Sequence, residues 1–339
     1  MRVRYEIKLA TTVLACIFWV GVSSVVAQQK PQWMPGQIGL NAGILPSPGF
    51  TYVNMDINYD AGAFNDRNGN AVHVSGTYNV WALENIFYFV PKTKFLGGNL
   101  GFMVMFPTPA NGSLVADFER FPNLGVSGGG YGVADLWVQP FTLGWHLKRA
   151  DIQVADAFMV PTGRYSPGAT NNIGTGYFGN HLQTGTTFYV TKNKGTSVNL
   201  FTDWEVHGQR QGTNSTYKTP GQAFTDEWGI GQILPLKKDF SKLLQLGVIG
   251  YDQWQVTADG GTIPNSLPIG SPTVPASLSP FYSVHAVGGQ VTYILPAKHF
   301  SFFFKYEHEY KSYSHTLGNT IVFGGAWTLA IPKPAAPKS

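Results

Sequence analysis

From Gly49 to Ile331 the chain alternates apolar and polar positions in stretches of about a dozen residues, each bounded by turn signals. The clearest pair is a hairpin. Leu182, Thr184, Thr186, Phe188 and Val190 fall on one face, Lys192-Asn193-Lys194-Gly195 turns the chain, and Val198, Leu200, Thr202, Trp204 and Val206 resume that face. His181, Gln183, Asn199, Asp203, Glu205 and His207 occupy the opposite face. A strand sends successive side chains to opposite faces, so this is period-two amphipathicity on strands of membrane-spanning length. The same reading places strands at 49–59, 71–90, 97–106, 131–146, 150–160, 180–191, 196–207, 223–234, 243–257, 281–295, 300–311 and 318–331. Their connections alternate between short (91–96, 147–149, 192–195, 235–242, 296–299) and longer (60–70, 107–130, 161–179, 208–222, 258–280, 312–317). An even number of strands with alternating short and long connections predicts an all-β fold: a transmembrane antiparallel β-barrel of about twelve strands, with short periplasmic turns and long extracellular loops.

Composition narrows the class. Charged residues make up 12% of the chain, against about 25% in ordinary soluble domains, while Gly, Tyr, Phe and Trp are plentiful, which suits a surface facing lipid. Arg2, Arg4 and Lys8 followed by the apolar run Leu9 to Val22 and by Val25-Val26-Ala27 read as a signal peptide over 1–27. A rival reading of Leu14-Ala15-Cys16 as a lipidation site fits less well, because the apolar run continues to Val26. Cleavage after Ala27 removes Cys16, the single cysteine, and with it all thiol chemistry. It leaves 20 basic and 18 acidic residues from the chain's 23 and 19, a balance that gives no reason to expect nucleic-acid binding. Beyond the signal no apolar run is long enough for a transmembrane helix, so a membrane crossing requires a closed barrel.

The barrel is expected over 49–331, followed by a flexible tail at 332–339. Residues 28–48 are too rich in Pro and Gly for a central strand, yet carry Trp33, Met34, Ile38, Leu40, Ile44 and Leu45. They read as a periplasmic segment or a lumen plug, the plug being favoured. Three places resist the pattern: Asp156 and Asp252 sit in phase with apolar neighbours, near a rim or a bulge, and Gly288-Gly289 suggests a phase change.

Several ordered motifs carry a family resemblance: Asn41-Ala42-Gly43-Ile44-Leu45-Pro46-Ser47-Pro48-Gly49, Gly132-Val133-Ala134-Asp135-Leu136, Leu143-Gly144-Trp145, Pro161-Thr162-Gly163-Arg164-Tyr165, and Leu246-Gly247-Val248-Ile249-Gly250-Tyr251 leading to Gln253 and Thr257-Ala258-Asp259-Gly260. With them the chain resembles the meta-pathway of phenol degradation family, a group of outer-membrane barrels. The resemblance implies a porin or transport role near aromatic catabolism and no enzyme activity. The Pro332-to-Ser339 tail departs from the terminal aromatic that many outer-membrane barrels place at the end of their last strand.

The candidate chemistry is weighed on this frame. Asp203, Glu205 and His207, with His181 and Gln183 opposite, are the most enzyme-like group, but one carboxylate–imidazole pair lacks the ligands of an ordinary zinc site, and a polar lumen wall explains it. No serine is read as a nucleophile, so no catalytic residue, metal or cofactor is assigned. The strip Lys305, Glu307, Glu309 and Lys311 reads as a selectivity element or as internal pairing that closes a narrow lumen. The expected lining is Asn54, Asp56, Asn58, His181, Gln183, Asn199, Asp203, Glu205, His207, Lys305, Glu307, Glu309 and Lys311. Tyr165, Tyr177, Phe178, Tyr217 and Phe224 form an apolar entry patch or an interfacial girdle. The reading is an outer-membrane channel for passive uptake of small hydrophobic or aromatic solutes. Its partners are outer-membrane lipid, such a solute and the barrel-assembly machinery. The alternatives are a closed structural or adhesive barrel and a barrel-wall lipid hydrolase.

Overall fold

The computed structural model describes residues 31–72, 74–118, 125–167, 169–212, 218–263, 274–275, 277 and 280–330; the expected signal at 1–27, the tail at 332–339 and Tyr217 lie outside these residues. Twelve long antiparallel strands form the wall: β1 (Gly49–Asn65), β2 (Val74–Val90), β3 (Gly98–Phe118), β4 (Leu136–His146), β5 (Ala150–Val160), β6 (Gly179–Tyr189), β7 (Thr196–His207), β8 (Ala223–Pro235), β9 (Leu243–Gln255), β10 (Ser283–Leu295), β11 (Phe300–Tyr313) and β12 (His315–Ala330). Each pairs with its sequence neighbours, and β1 closes the ring by pairing with β12 as well as β2. A closed ring leaves no strand edge to satisfy in lipid, which is what permits a sheet to span a membrane.

The outer surface carries an apolar belt. Leu182, Phe188, Leu200, Trp204, Ile230, Val248, Phe302, Phe304, Phe323 and Trp327 are all exposed. On a soluble protein a belt of this extent would be an aggregation hazard; on a barrel it is the lipid contact. The connections after β2, β4, β6, β8 and β10, the first residue of β1 and the last residue of β12 share one end, the periplasmic end in barrels of this kind. The fold is that of an outer-membrane barrel.

Two details differ from the sequence reading. The connection expected at 312–317 is a single residue, Ser314, in the left-handed region at φ 49° and donating its N–H to the Asp66 carbonyl. The strands β11 and β12 therefore run to full height. The second difference is the height of β1, β2 and β3, which have 17, 17 and 21 residues against 11 in β5 and β6. Above Glu84 the β2–β3 ladder shifts register, so that Ala82 faces Ala110 while Glu84 faces Pro107. The upper part of β3 pairs with a further strand, Gly125–Gly132, instead of β4.

Residues 31–48 lie inside the barrel, with Trp33, Leu40, Ala42 and Leu45 buried. Their packing against the wall demands glycine at two approaches. A Cβ on Gly43 would stand 2.0 Å from the Asp151 carbonyl, and Gly36, at φ 90°, would place one 2.5 Å from a Glu307 carboxyl oxygen.

Candidate functional site

The lumen is divided by the plug into two unlike walls. On the β6–β8 side and on β11, polar side chains hold the plug's backbone. Glu205 accepts from the backbone N–H of Gln32 (2.6 Å) and Trp33 (3.2 Å). Glu227 accepts from the Trp33 indole N–H (2.9 Å) and from the N–H of Ile38 (2.7 Å) and Gly39 (3.2 Å). Asn199 accepts from Asn41 N–H and Thr187 from Gly43 N–H, each at 3.0 Å. Lys305 donates to the carbonyls of Gly36 (3.3 Å), Gln37 and Ile38 (3.1 Å). A segment with no regular structure leaves its backbone groups unpaired; in a lumen without bulk water these side chains stand in for a sheet.

On the β1–β4 side the lumen is apolar. Trp33 packs with Met55, Ile57, Ile86, Met103, Met105, Trp137, Ala157, Met159, Phe201 and Val322, its ring centroid 5.5 Å from Trp137 and 5.1 Å from Phe201. Between the plug and this wall lies a cavity of about 120 Å³. Trp33, Met34, Val80, Ala82, Met105, Trp137, Met159 and Ile173 provide its apolar lining, with Glu84, Tyr78, Gln37, Asn111, Asp135 and Thr175 as polar points. The loop between β5 and β6 covers its upper end. Asp135 staples that loop, accepting from Gly163 N–H (2.8 Å), Thr175 N–H (2.6 Å) and the Thr175 hydroxyl (2.7 Å). Burial pushes the Asp135 carboxyl above its usual range, against the pull of those three donors.

Of the residues expected to line the lumen, His181, Gln183, Asn199, Asp203, Glu205, His207, Lys305, Glu307 and Glu309 are buried inside the barrel. Asp203 bonds His181 Nδ1 (3.0 Å) and accepts from Gln183 (2.9 Å), while Glu309 accepts from the hydroxyls of Tyr59 and Tyr251, each at 2.9 Å. Four positions are corrected. Asn54, Asp56 and Asn58 face outward, because Met55, Ile57 and Tyr59 between them turn in to meet the plug and its surroundings. Asp56 accepts from the Trp81 indole, and Asn54 donates to Asn85 at 3.3 Å on the same outer face. Lys311 also faces outward, because a bulge sets His285 opposite Lys311 and Ala286 opposite Glu309, leaving Tyr310 unpaired and reversing the phase. Asp156 and Asp252 stay on the outer face near the long-loop rim, with partners: Asn180 donates to Asp156 (2.8 Å), and His285 Nδ1 (2.5 Å) and the Trp228 indole (3.2 Å) meet Asp252. The expected entry patch is split. Tyr177 is buried beside His207, whereas Phe178 and Phe224 stack outward on Phe158 and Trp254. The lining residues missed by the sequence reading are those of the apolar wall, above all Glu84, whose alternation with Ala82 and Ile86 holds the only signal of its inward face.

The ionisable clusters have structural employment. The donor atoms of His181, Asp203 and Glu205 lie within 4.8 Å of one another, yet Glu205 already serves Gln32, Trp33 and His207 Nε2 (3.0 Å), so a metal there would have to displace the plug. The Nε2 of His181 meets the Gln32 side-chain oxygen (3.4 Å), where a hydrolase triad needs a hydroxyl. The spelling Gly-x-Ser-x-Gly does occur, at Gly125-Val126-Ser127-Gly128-Gly129, but in a strand paired with β3 and not in the strand-to-helix turn of a nucleophile elbow.

Solved structures similar to this chain are themselves outer-membrane proteins. The COG4313 outer membrane channel from Pseudomonas putida F1 is 12% identical, with a TM-score of 0.63, over 87% of this chain and 99% of that one. The β-domain of the Bordetella autotransporter BrkA is 9% identical, with a TM-score of 0.47, over 84% and 100%. No curated protein matches the chain at a significant level. A family model described as "Putative MetA-pathway of phenol degradation" matches residues 61–323, most of the barrel, and the chain belongs to that family.

Proposed function

We propose that this protein is an outer-membrane channel through which small hydrophobic or aromatic solutes move passively, with no catalytic step. The observation that carries this reading is the inverted wall: a lumen face of Met, Trp, Ile and Ala along β1–β4, enclosing a cavity beneath the β5–β6 loop. A water-filled porin places polar side chains on such a face. The likeness to the channel from Pseudomonas putida agrees with transport, and the family description agrees with an aromatic solute. His181, Asn199, Glu205, Glu227 and Lys305 then act as the seat of the plug, with Gln183, Asp203 and His207 bracing His181 and Glu205 from behind, and passage requires the plug to shift along that seat. The filled lumen also favours a second reading, a closed structural or adhesive barrel. One measurement separates the two: entry of labelled phenol and toluene into cells whose outer membrane carries the protein, the protein with Glu205→Ala and Lys305→Ala, or neither. Faster entry with the protein, rising further when the seat is weakened, supports the channel. Equal rates in all three leave the closed barrel.

A further inference from the structure

We infer that the cavity between the plug and the β1–β4 wall is a binding site for a one-ring apolar molecule bearing a hydrogen-bond donor, with Glu84 as the residue that selects for the donor. The inference rests on the channel reading and names the solute class that the same site takes.

Three observations converge on Glu84. Its side chain lines the cavity, its residue is 4% exposed, and its Oε2 has no hydrogen-bond partner. A buried carboxyl oxygen is ordinarily paired, since leaving it unpaired forfeits its hydration without recompense. The local backbone is arranged around it: the β2–β3 register shift falls between Ala82 and Glu84, opposite Pro107, and bows the wall where the cavity lies. The remaining surface is built for an apolar body, with Trp33 supplied by the plug and Met105, Trp137 and Met159 side by side across β3, β4 and β5 on the wall. Thioether and aromatic surfaces adapt to a flat ring without demanding one orientation. The volume of about 120 Å³ is close to the roughly 150 Å³ of apolar cavities that hold a benzene molecule. A ring thus fills the space, and a hydroxyl or ammonium on it reaches Glu84. A carboxylate on the same ring would have to leave water for a largely apolar cavity whose lining holds no cation.

The test uses the full chain in nanodiscs, with 4-fluorophenol, 4-fluorotoluene and 4-fluorobenzoate read by fluorine NMR against protein-free nanodiscs. The expected result is about tenfold tighter retention of the phenol than of the toluene, as one buried hydrogen bond to an otherwise unpaired acceptor supplies, with no retention of the benzoate. Glu84→Leu abolishes the preference for the phenol, and Met105→Trp, which fills the cavity and leaves Glu84 in place, abolishes retention of both neutral rings. Each variant is checked for the folded barrel by its mobility in unheated detergent gels, and Met105→Trp alone decides whether the cavity is the site should Glu84→Leu not fold. A phenol preference that survives Glu84→Leu, benzoate retained as tightly as phenol, or retention unaffected by Met105→Trp overturns the inference. Retention in nanodiscs without faster entry into cells removes the channel and leaves the site; faster entry without retention does the reverse.

Discussion

In the β6–β7 hairpin Phe188, Leu200 and Trp204 face lipid while Asn199, Asp203 and Glu205 face the lumen. In the β1–β2 hairpin Met55, Ile57, Val80 and Ile86 face the lumen while Asn54, Asp56 and Asn85 face out. Both hairpins alternate with the same period, cross the same membrane and adjoin the same plug. What differs is the surface of the plug that each one meets. The Trp33 ring and the Met34 side chain join an apolar cluster drawn mainly from β1–β5, so that wall packs as a core, while the indole also reaches Phe201 on β7 and Glu227 on β8. The backbone N–H groups of Gln32, Trp33, Ile38, Gly39, Asn41 and Gly43 point to β6–β8, which therefore supply acceptors, and that of Leu40 points to Gln290 on β10. Lumen polarity in this barrel follows the plug. The outward polar groups of β1–β2 in turn pair with one another, as in Tyr52 to Asn85 (2.7 Å) and Asn79 to Asp60 (3.2 Å), which reduces the cost of holding them beside lipid.

The comparison can be broken most severely at the polar wall. Glu205→Ala with Glu227→Ala strips the acceptors from four plug amides and the Trp33 indole, and with about 1–3 kcal/mol for each donor left unpaired the loss is on the order of 5 kcal/mol or more. Hydrogen exchange at the amides of residues 32–39 should accelerate more than about 100-fold and ion conductance should rise; amides that stay protected would show that the plug is seated by something else. Trp33→Ala attacks the other wall, at a cost of about 3–5 kcal/mol for an aromatic lost from a packed core. Its expected signature is loosening of the plug with the barrel still folded, read by protease cleavage within 31–48.

Outside the barrel the two hairpins should respond differently to one and the same substitution. Leu200→Lys places a cation in the apolar belt, at about 2–4 kcal/mol if it lies at the midplane. Asn58→Lys, beside Asp56 and Asp60, should cost under about 1 kcal/mol because an opposite charge is within reach. Urea unfolding in detergent measures both, and equal costs would mean that the outer stripe of β1 is not a polar environment. The smallest effect concerns the loop over the cavity. Asp135 has its carboxyl raised in the closed loop, so closing takes up a proton: the contribution is complete below the ordinary carboxylate range and fades as pH rises through the raised value. Exchange at the Gly163 and Thr175 amides, corrected for intrinsic rates, should therefore gain protection toward acid, and Asp135→Asn should remove that dependence.

How much was legible in the sequence divides along the same line. The strands β5 and β7 have the expected ends, Ala150–Val160 and Thr196–His207, and β7 also meets what the period-two rule assumes, lipid outside and mainly polar groups inside, whereas β5 turns Ala155, Ala157 and Met159 inward. The phase of β1 was misread because the rule supplies a wet lumen, and the apolar row Met55, Ile57 and Tyr59 is sorted only by tertiary contacts, those with Trp33 and Met34 of the plug among them, which alternation along β1 does not record. The outward turn of Lys311 depends on one bulged residue, Tyr310, for which alternation carries no sign. The cavity was illegible because Glu84 sits alone among apolar neighbours, and its significance lies in an atom that lacks a partner, which no pattern records.

The unequal height of the wall has a mechanical consequence. The β12–β1 and β2–β3 ladders run to the upper rim, with β11 and β12 joined by Ser314 alone, while from β5 to β10 shorter strands carry the longer connections. A ladder bends only by breaking several hydrogen bonds together, whereas a connection held by a staple such as Asp135 yields when one side chain lets go. The described part of the mouth is thus a fixed jamb facing a loop latched by one side chain, and on the proposed channel reading the latch is the side that yields.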